Sequence, residues 1–373
     1  MTSSVSQPVT YAAAGVDTEA GDRAVELMKD AVRATHGPEV LGGVGGFAGL
    51  FDASALTGYR RPLLASSTDG VGTKVAIAQA MDVHDTIGFD LVGMVVDDIV
   101  VVGARPLFMT DYIACGKVVP ERIAAVVRGI AAACEVAGTA LVGGETAEHP
   151  GLLAPDEYDV AGAATGVVEA DDLLGPERVR TGDVLLALGS SGLHSNGYSL
   201  VRRVIDVAGW SLDREVPEFG RTLGAELLEP TRVYAADCLA LAATGGVHAF
   251  SHVTGGGLAA NVARVLPAGL VADIDRASWE LPAVFQVAQH LGQVPWHDLE
   301  RTLNLGVGMV AIVAADRAEA LTREAGRLGL PAWTLGEVRA LDGELDTPGP
   351  DLVAGTKGVQ GGAVRLVNSY RVA

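Results

Sequence analysis

The sequence predicts an α/β (α+β) protein of two domains. Three observations carry this. Short apolar runs end repeatedly in glycine-rich stretches: Leu63-Leu64-Ala65 before 66–74, residues 139–142 before 143–148, and residues 183–188 before 189–197. Segments with apolar residues at three- and four-residue spacing alternate with them, so strand and helix periods mix throughout. A charged, proline-containing stretch, 169–182, divides the chain, and its 373 residues suffice for two cores. The expected division is 1–170 for a mixed-sheet domain, 180–340 for a second α/β domain, and 341–373 for a weakly ordered tail rich in Gly, Asp and Pro.

Taken in order, residues 1–18 read as irregular. A helix over 19–35 follows from the stripe Ala24, Val25, Met28, Ala31, Val32, Thr35. Gly43, Gly45 and Ala48 imitate a dinucleotide fingerprint, but Pro38 and Glu39 leave no strand before them, so a flexible cover over phosphates is the better reading. The stretch Ser66-Ser67-Thr68-Asp69-Gly70-Val71-Gly72-Thr73-Lys74 reads as strand, glycine loop, helix, which turns N–H groups toward an anion. Helices are expected over 73–81 and 85–102. Asp97 and Asp98 interrupt the second, about 100° apart on a helix, so one can point inward while the other is exposed. A strand over 106–114 holds Asp111. Then come a helix over 121–136, a strand over 139–142 opening into the loop 143–148, and a strand over 158–168. In the second half the expected strands are 183–188, 247–251, 270–274, 307–313 and 332–338. The expected helices are 198–207, 230–244, one ending near 266, those near 281–291 and 296–303, and 316–326.

Charge narrows the chemistry. With 27 basic and 46 acidic residues the formal net charge is −19, which argues against a general nucleic-acid or membrane binder. No run approaches the roughly 20 apolar residues of a membrane span. Cys115, Cys134 and Cys238 are odd in number and widely spaced, the pattern of reduced thiols in a cytoplasm. Only Lys29, Lys74, Lys117 and Lys357 are lysine among the basic residues, so each can mark a place where a compact ammonium is needed. An acid that can hold Mg²⁺ beside a base that can hold phosphate makes the 66–74 stretch a candidate metal–nucleotide site. The loop 189–197 offers hydroxyl and amide donors without acids, as suits a monophosphate. It lacks the G-x-S-x-G elbow of serine hydrolases.

Several motifs together resemble the aminoimidazole ribonucleotide synthetases, the phosphoribosylformylglycinamidine cyclo-ligase family, over about residues 10–340. They are Gly42-Gly43-Val44-Gly45-Gly46-Phe47, residues 68–74, His84-Asp85-Thr86-Ile87-Gly88, residues 141–148, residues 189–199 and Thr254-Gly255-Gly256-Gly257. The resemblance implies the fold of an ATP-binding superfamily, a homodimer pairing its first-domain sheets, and ATP- and Mg²⁺-dependent closure of formylglycinamidine ribonucleotide to 5-aminoimidazole ribonucleotide. By matched position it implies Asp69, Asp98 and Glu145 as metal ligands. Gly43, Gly45, Gly46, Asp69, Gly70, Gly72, Thr73, Lys74, Lys117, Glu145 and Thr146 would bind nucleotide. Ser190, Ser191, Gly192, Ser195, Asn196, His252 and Thr254 would bind the ribonucleotide, with His194 and Lys29 catalytic. Rival readings are a thiamine-phosphate kinase, a selenophosphate synthetase, disfavoured because no Cys precedes Cys115, and a non-catalytic nucleotide-binding scaffold, disfavoured by the acids.

Overall fold

The computed structural model describes residue 15 and residues 17–43, 45–341, 351–355 and 361–372. Lys357 and Val44 lie outside the described residues, as does most of the expected irregular start.

The first half is a four-stranded sheet under helices. Helix α1 spans Thr18–Ala34, with Asp17 capping its N-terminus through Ala20 N. A small ribbon, β1 (Val40–Leu41) and β2 (Leu50–Phe51), flanks the 42–49 glycine stretch. Then come β3 (Pro62–Gly70), α2 (Val75–Met81), α3 (Ile87–Val100), β4 (Arg105–Cys115), α4 (Pro120–Ala137), β5 (Ala140–Glu148) and β6 (Tyr158–Glu169). The strand order is β3-β6-β4-β5, antiparallel except for the β4–β5 pair. Side chains alternate between sheet faces. Met109, Ile113 and Cys115 turn inward from β4, and Val160 and Ala164 from β6, against the apolar sides of α3 and α4.

The second half is a seven-stranded mixed sheet. It contains β7 (Val184–Gly189), the ribbon β8 (Glu215–Val216) with β9 (Arg221–Thr222) outside it, then β10 (Val247–His252), β11 (Leu270–Asp275), β12 (Val307–Val313), β13 (Ala332–Ala340), β14 (Leu352–Ala354) and β15 (Ala363–Val367). Its order is β10-β12-β7-β13-β11-β15-β14. Helices α5 (Tyr198–Ala208), α6 (Leu223–Leu227), α7 (Ala235–Ala243), α8 (Gly257–Arg264), α9 (Ala283–Gly292), α10 (Trp296–Glu300) and α11 (Ala318–Arg327) pack around it.

Three expectations need correction. Residues 66–70 and 143–148 are strand rather than loop, because β6 and β4 supply ladder partners throughout both stretches. Residues 230–234 precede α7 outside any helix, with the N–H groups of Thr231 and Tyr234 taken by Asp90 and Asp97 of α3. The tail is not wholly weakly ordered: β14 and β15 close the second sheet, with Val364 and Leu366 buried in its core. The rest of 341–373 is largely outside the described residues.

Candidate active site

The two halves meet along α3, whose three acids each take a different part of the second half. Asp90, fully buried, accepts from Lys74 Nζ at 2.7 Å and from Thr231 N and Oγ1 at 3.1 and 2.5 Å. Asp97 lies one helical repeat further on the same side. It accepts from Tyr234 N at 3.0 and 3.1 Å, at the start of α7. Burial pushes the Asp97 carboxyl up to about 7. Asp98 turns away from Asp97, 42% exposed, and its Oδ1 lies 2.8 Å from Nδ1 of buried His252. The expected split of the acid pair is therefore present, with Asp97 inside and Asp98 at the cleft.

Asp69 stands near Asp98 and His252 at the end of β3. Burial raises its carboxyl, and the Asp98 charge adds to this. The Gly70 N–H, at 2.7 Å, and His252 oppose it. His252 loses charge stability by burial, yet its bond to Asp98 and the charges of Asp97, Asp98 and Asp69 raise its pKa overall. Its Nε2 is buried with no protein partner. Two carboxylates at one cleft suit a hard cation with oxygen ligands.

His194 closes the same junction in a left-handed conformation, φ 61°. Its Nε2 accepts from Ser191 N at 3.2 Å, so the neutral ring carries its proton on Nδ1, which is buried and unpartnered. Burial, then the positive charges of His252, Lys74 and Arg232, hold its pKa well below the usual histidine value. Asn196 donates to Met94 Sδ at 3.1 Å, and the Thr254 carbonyl accepts from Asn261 and Gly257.

Several expected roles do not fit this geometry. Lys74 is wholly buried, and its ammonium is shared among Asp90, the His194 carbonyl at 3.0 Å and the Glu229 carbonyl at 2.7 Å. Three N–H groups meet three acceptors, leaving none for a phosphate. The hydroxyls of 189–197 are spent likewise: Ser190 on the Gly192 carbonyl and Asn304, Ser191 on the Pro230 carbonyl, Ser195 on the Val71 carbonyl. Thr73 meets Ser199 at 3.1 Å. These loops stitch the halves together. Among the described residues no three His, Cys, Asp or Glu side chains form a metal-holding group. The expected trio is not assembled because Glu145 lies on β5, at the opposite edge from β3. Lys29 pairs with Glu26 at 3.5 Å on α1 and does not join His194, and Lys117 is exposed after β4.

Gly43, Gly45, Gly46, Glu145 and Thr146 do come together. They line a cavity of about 600 Å³ between α1, the glycine stretch and β4–β5, to which Gly70, Gly72 and Gly192 do not contribute. Sequence reasoning missed Asp90 and Thr231, whose only trace was an acid within the apolar helix.

The comparisons with known proteins agree with this architecture. The family described as AIR synthase related protein, N-terminal domain, matches residues 52–168, and its C-terminal domain counterpart matches 180–345. The solved thiamine-monophosphate kinase from Stenotrophomonas maltophilia K279a aligns at TM-score 0.63 and 22% identity, over 92% of this chain and 96% of that one. HypE, a hydrogenase maturation protein solved in complex with ATP, aligns at TM-score 0.56 and 19% identity, over 86% and 87%. Both share the fold. A phosphoribosylformylglycinamidine cyclo-ligase from Geobacillus sp. (strain WCH70) is 50% identical over 334 residues, 89% of this chain and 96% of the relative. The chain belongs to the phosphoribosylformylglycinamidine cyclo-ligase family.

Proposed function

We propose that the chain closes the imidazole ring of 5-aminoimidazole ribonucleotide in purine biosynthesis, converting formylglycinamidine ribonucleotide with release of ADP and phosphate. The observation that carries this is half identity across nearly the whole of a cyclo-ligase. The formamide carbonyl is a poor electrophile. Transfer of phosphate to its oxygen creates a leaving group that the neighbouring amidine nitrogen displaces, and closure within one molecule gains much of its rate from proximity. The cleft between Asp69, Asp98, His252 and His194 is the proposed place for this step. Neutral His194 offers its Nδ1–H as a hydrogen-bond donor, and His252, held by Asp98, offers Nε2. Mg²⁺, when bound, neutralises charge on the transferring phosphoryl group, and Asp69 and Asp98 are the residues proposed to hold it.

ATP as co-substrate is supported by the fold shared with an ATP-bound protein. Gly43 and residues 45–49, with Glu145 and Thr146, are the proposed nucleotide site. A homodimer is proposed from the outward face of the first sheet, where Leu64 and Tyr112 are 65% and 42% exposed on β3 and β4. No described helix is long and apolar enough to cross a membrane. A cytoplasmic place is proposed with the pathway. The test is incubation with formylglycinamidine ribonucleotide, ATP and Mg²⁺, with imidazole product and ADP followed by mass spectrometry. Stoichiometric product is expected, and Asp69→Asn should abolish it in a folded protein. ADP formation that needs thiamine monophosphate instead would overturn the reading.

A further inference from the structure

The 600 Å³ cavity has a floor that the cyclisation chemistry does not use. Asp111 sits there in the middle of β4, only 9% exposed. Among the described residues its carboxylate meets no donor except its own backbone N–H. Gly144, beside it on β5, is glycine for a physical reason: a Cβ would lie 1.8 Å from Asp111 Oδ1. The sheet therefore keeps a space for an acid that it leaves without a partner. A buried carboxylate in that state is costly, and such groups are normally paired. Here Asp111 lines the cavity, from which a partner can enter.

The walls say what kind of group enters. Val25 and Met28 of α1, Val127 of α4 and Leu141 of β5 make an apolar slot, and Gly43 with residues 45–49 forms one rim. Its size is that of a small-molecule site, and apolar walls with a few placed polar groups suit a flat ring system. A phosphate does not belong at the floor, because the ionised Asp111 would repel it. A neutral ring bearing N–H donors does, with its charged end directed to the glycine rim. We propose that this cavity is a nucleobase pocket in which Asp111 accepts a hydrogen bond from the exocyclic amino group of adenine. The inference rests on the nucleotide-site reading above and makes Asp111 a specificity-determining residue.

The test titrates ATP and purine riboside triphosphate, which lacks the 6-amino group, into the wild type and Asp111→Ala by calorimetry. The wild type should prefer ATP by about tenfold or more, the loss expected when a buried acceptor goes unmatched. Asp111→Ala should bind both alike, near the affinity of wild type for the analogue. A second variant, Val25→Trp, fills the slot from an exposed helix position and should weaken both ligands while melting like the wild type. Should Asp111→Ala fail to fold, Val25→Trp decides. An undiminished ATP preference in Asp111→Ala, or full ATP affinity in Val25→Trp, overturns the pocket and leaves the nucleotide reading standing. A wild type that binds neither ligand overturns both.

Discussion

Replacing Lys74 by Met separates a structural from a ligand-binding lysine. The side chain is 0% exposed and tied to the Asp90 carboxylate and to the carbonyls of His194 and Glu229. Met fills similar volume but supplies none of the three donors. Two carbonyls lose a partner, and Asp90 keeps Thr231 but loses its counter-charge. Asp90 Oδ2 already has no partner, so nothing nearby can compensate. Removing one member of a buried pair typically costs about 3–5 kcal/mol. For a cooperative unit of some 150–250 residues that lowers Tm by roughly 6–20 °C. Thermal melting followed by circular dichroism measures it. Lys74→Met with Asp90→Asn should recover part of the loss, since the orphaned charge is gone. A Lys74→Met protein that melts within about 2 °C of wild type yet no longer binds ATP would refute this reasoning, and would return Lys74 to the phosphate role its sequence position suggests.

Two further outcomes follow. Asp97 and Asp111 both have carboxyls pushed up to about 7 from 3.8 by burial. The folded state thus holds protons that the unfolded chain releases above about pH 4, so their contribution is full below that and lost as pH rises to about 7. At about 1.4 kcal/mol per pH unit each acid removes at most about 4 kcal/mol. Denaturation at pH 5 and pH 8 should show this decline, and Asp97→Asn should flatten it; an unchanged slope refutes the assignment. Ser195→Ala removes only the 2.6 Å bond to the Val71 carbonyl. It should lower stability by about 1 kcal/mol in denaturant titration while leaving the KM for ribonucleotide unchanged, and a raised KM with unchanged stability would mark Ser195 as a ligand group instead.

The fold class and most elements were legible because their periods are clear. The buried side of α4 and the alternation along β6 admit one reading each. What the sequence concealed was pairing. Residues 143–148 read as a loop because two glycines and two acids look like a turn. Strand β4 makes them a ladder, and Gly144 lies opposite Asp111, whose Oδ1 occupies the place of a Cβ, a fact invisible along one strand. Residues 230–234 carry helical residues, yet Asp90 and Asp97 capture the N–H groups of Thr231 and Tyr234 and α7 begins only at Ala235. Contacts across 137 and 141 positions leave no local trace.

The lysines show the same limit from the other side. In a chain that uses arginine nearly everywhere, a surviving lysine pointed to a need for a compact ammonium. At Lys74 that need is met by the interior. Three acceptors surround one nitrogen at 2.7, 2.7 and 3.0 Å, coming from α3, from the His194 loop and from the approach to α7. A tetrahedral ammonium can serve three converging acceptors from one point, and a planar guanidinium, with its donors spread over a fork, cannot. Residue chemistry was therefore readable from composition, while the ligand it serves was not. The clamp has a consequence for the site: by holding the His194 carbonyl it fixes a residue whose backbone is already in the left-handed region, and so sets where the unpartnered Nδ1–H of that ring lies. The lysine expected to hold phosphate is thus tied to the histidine of the cleft.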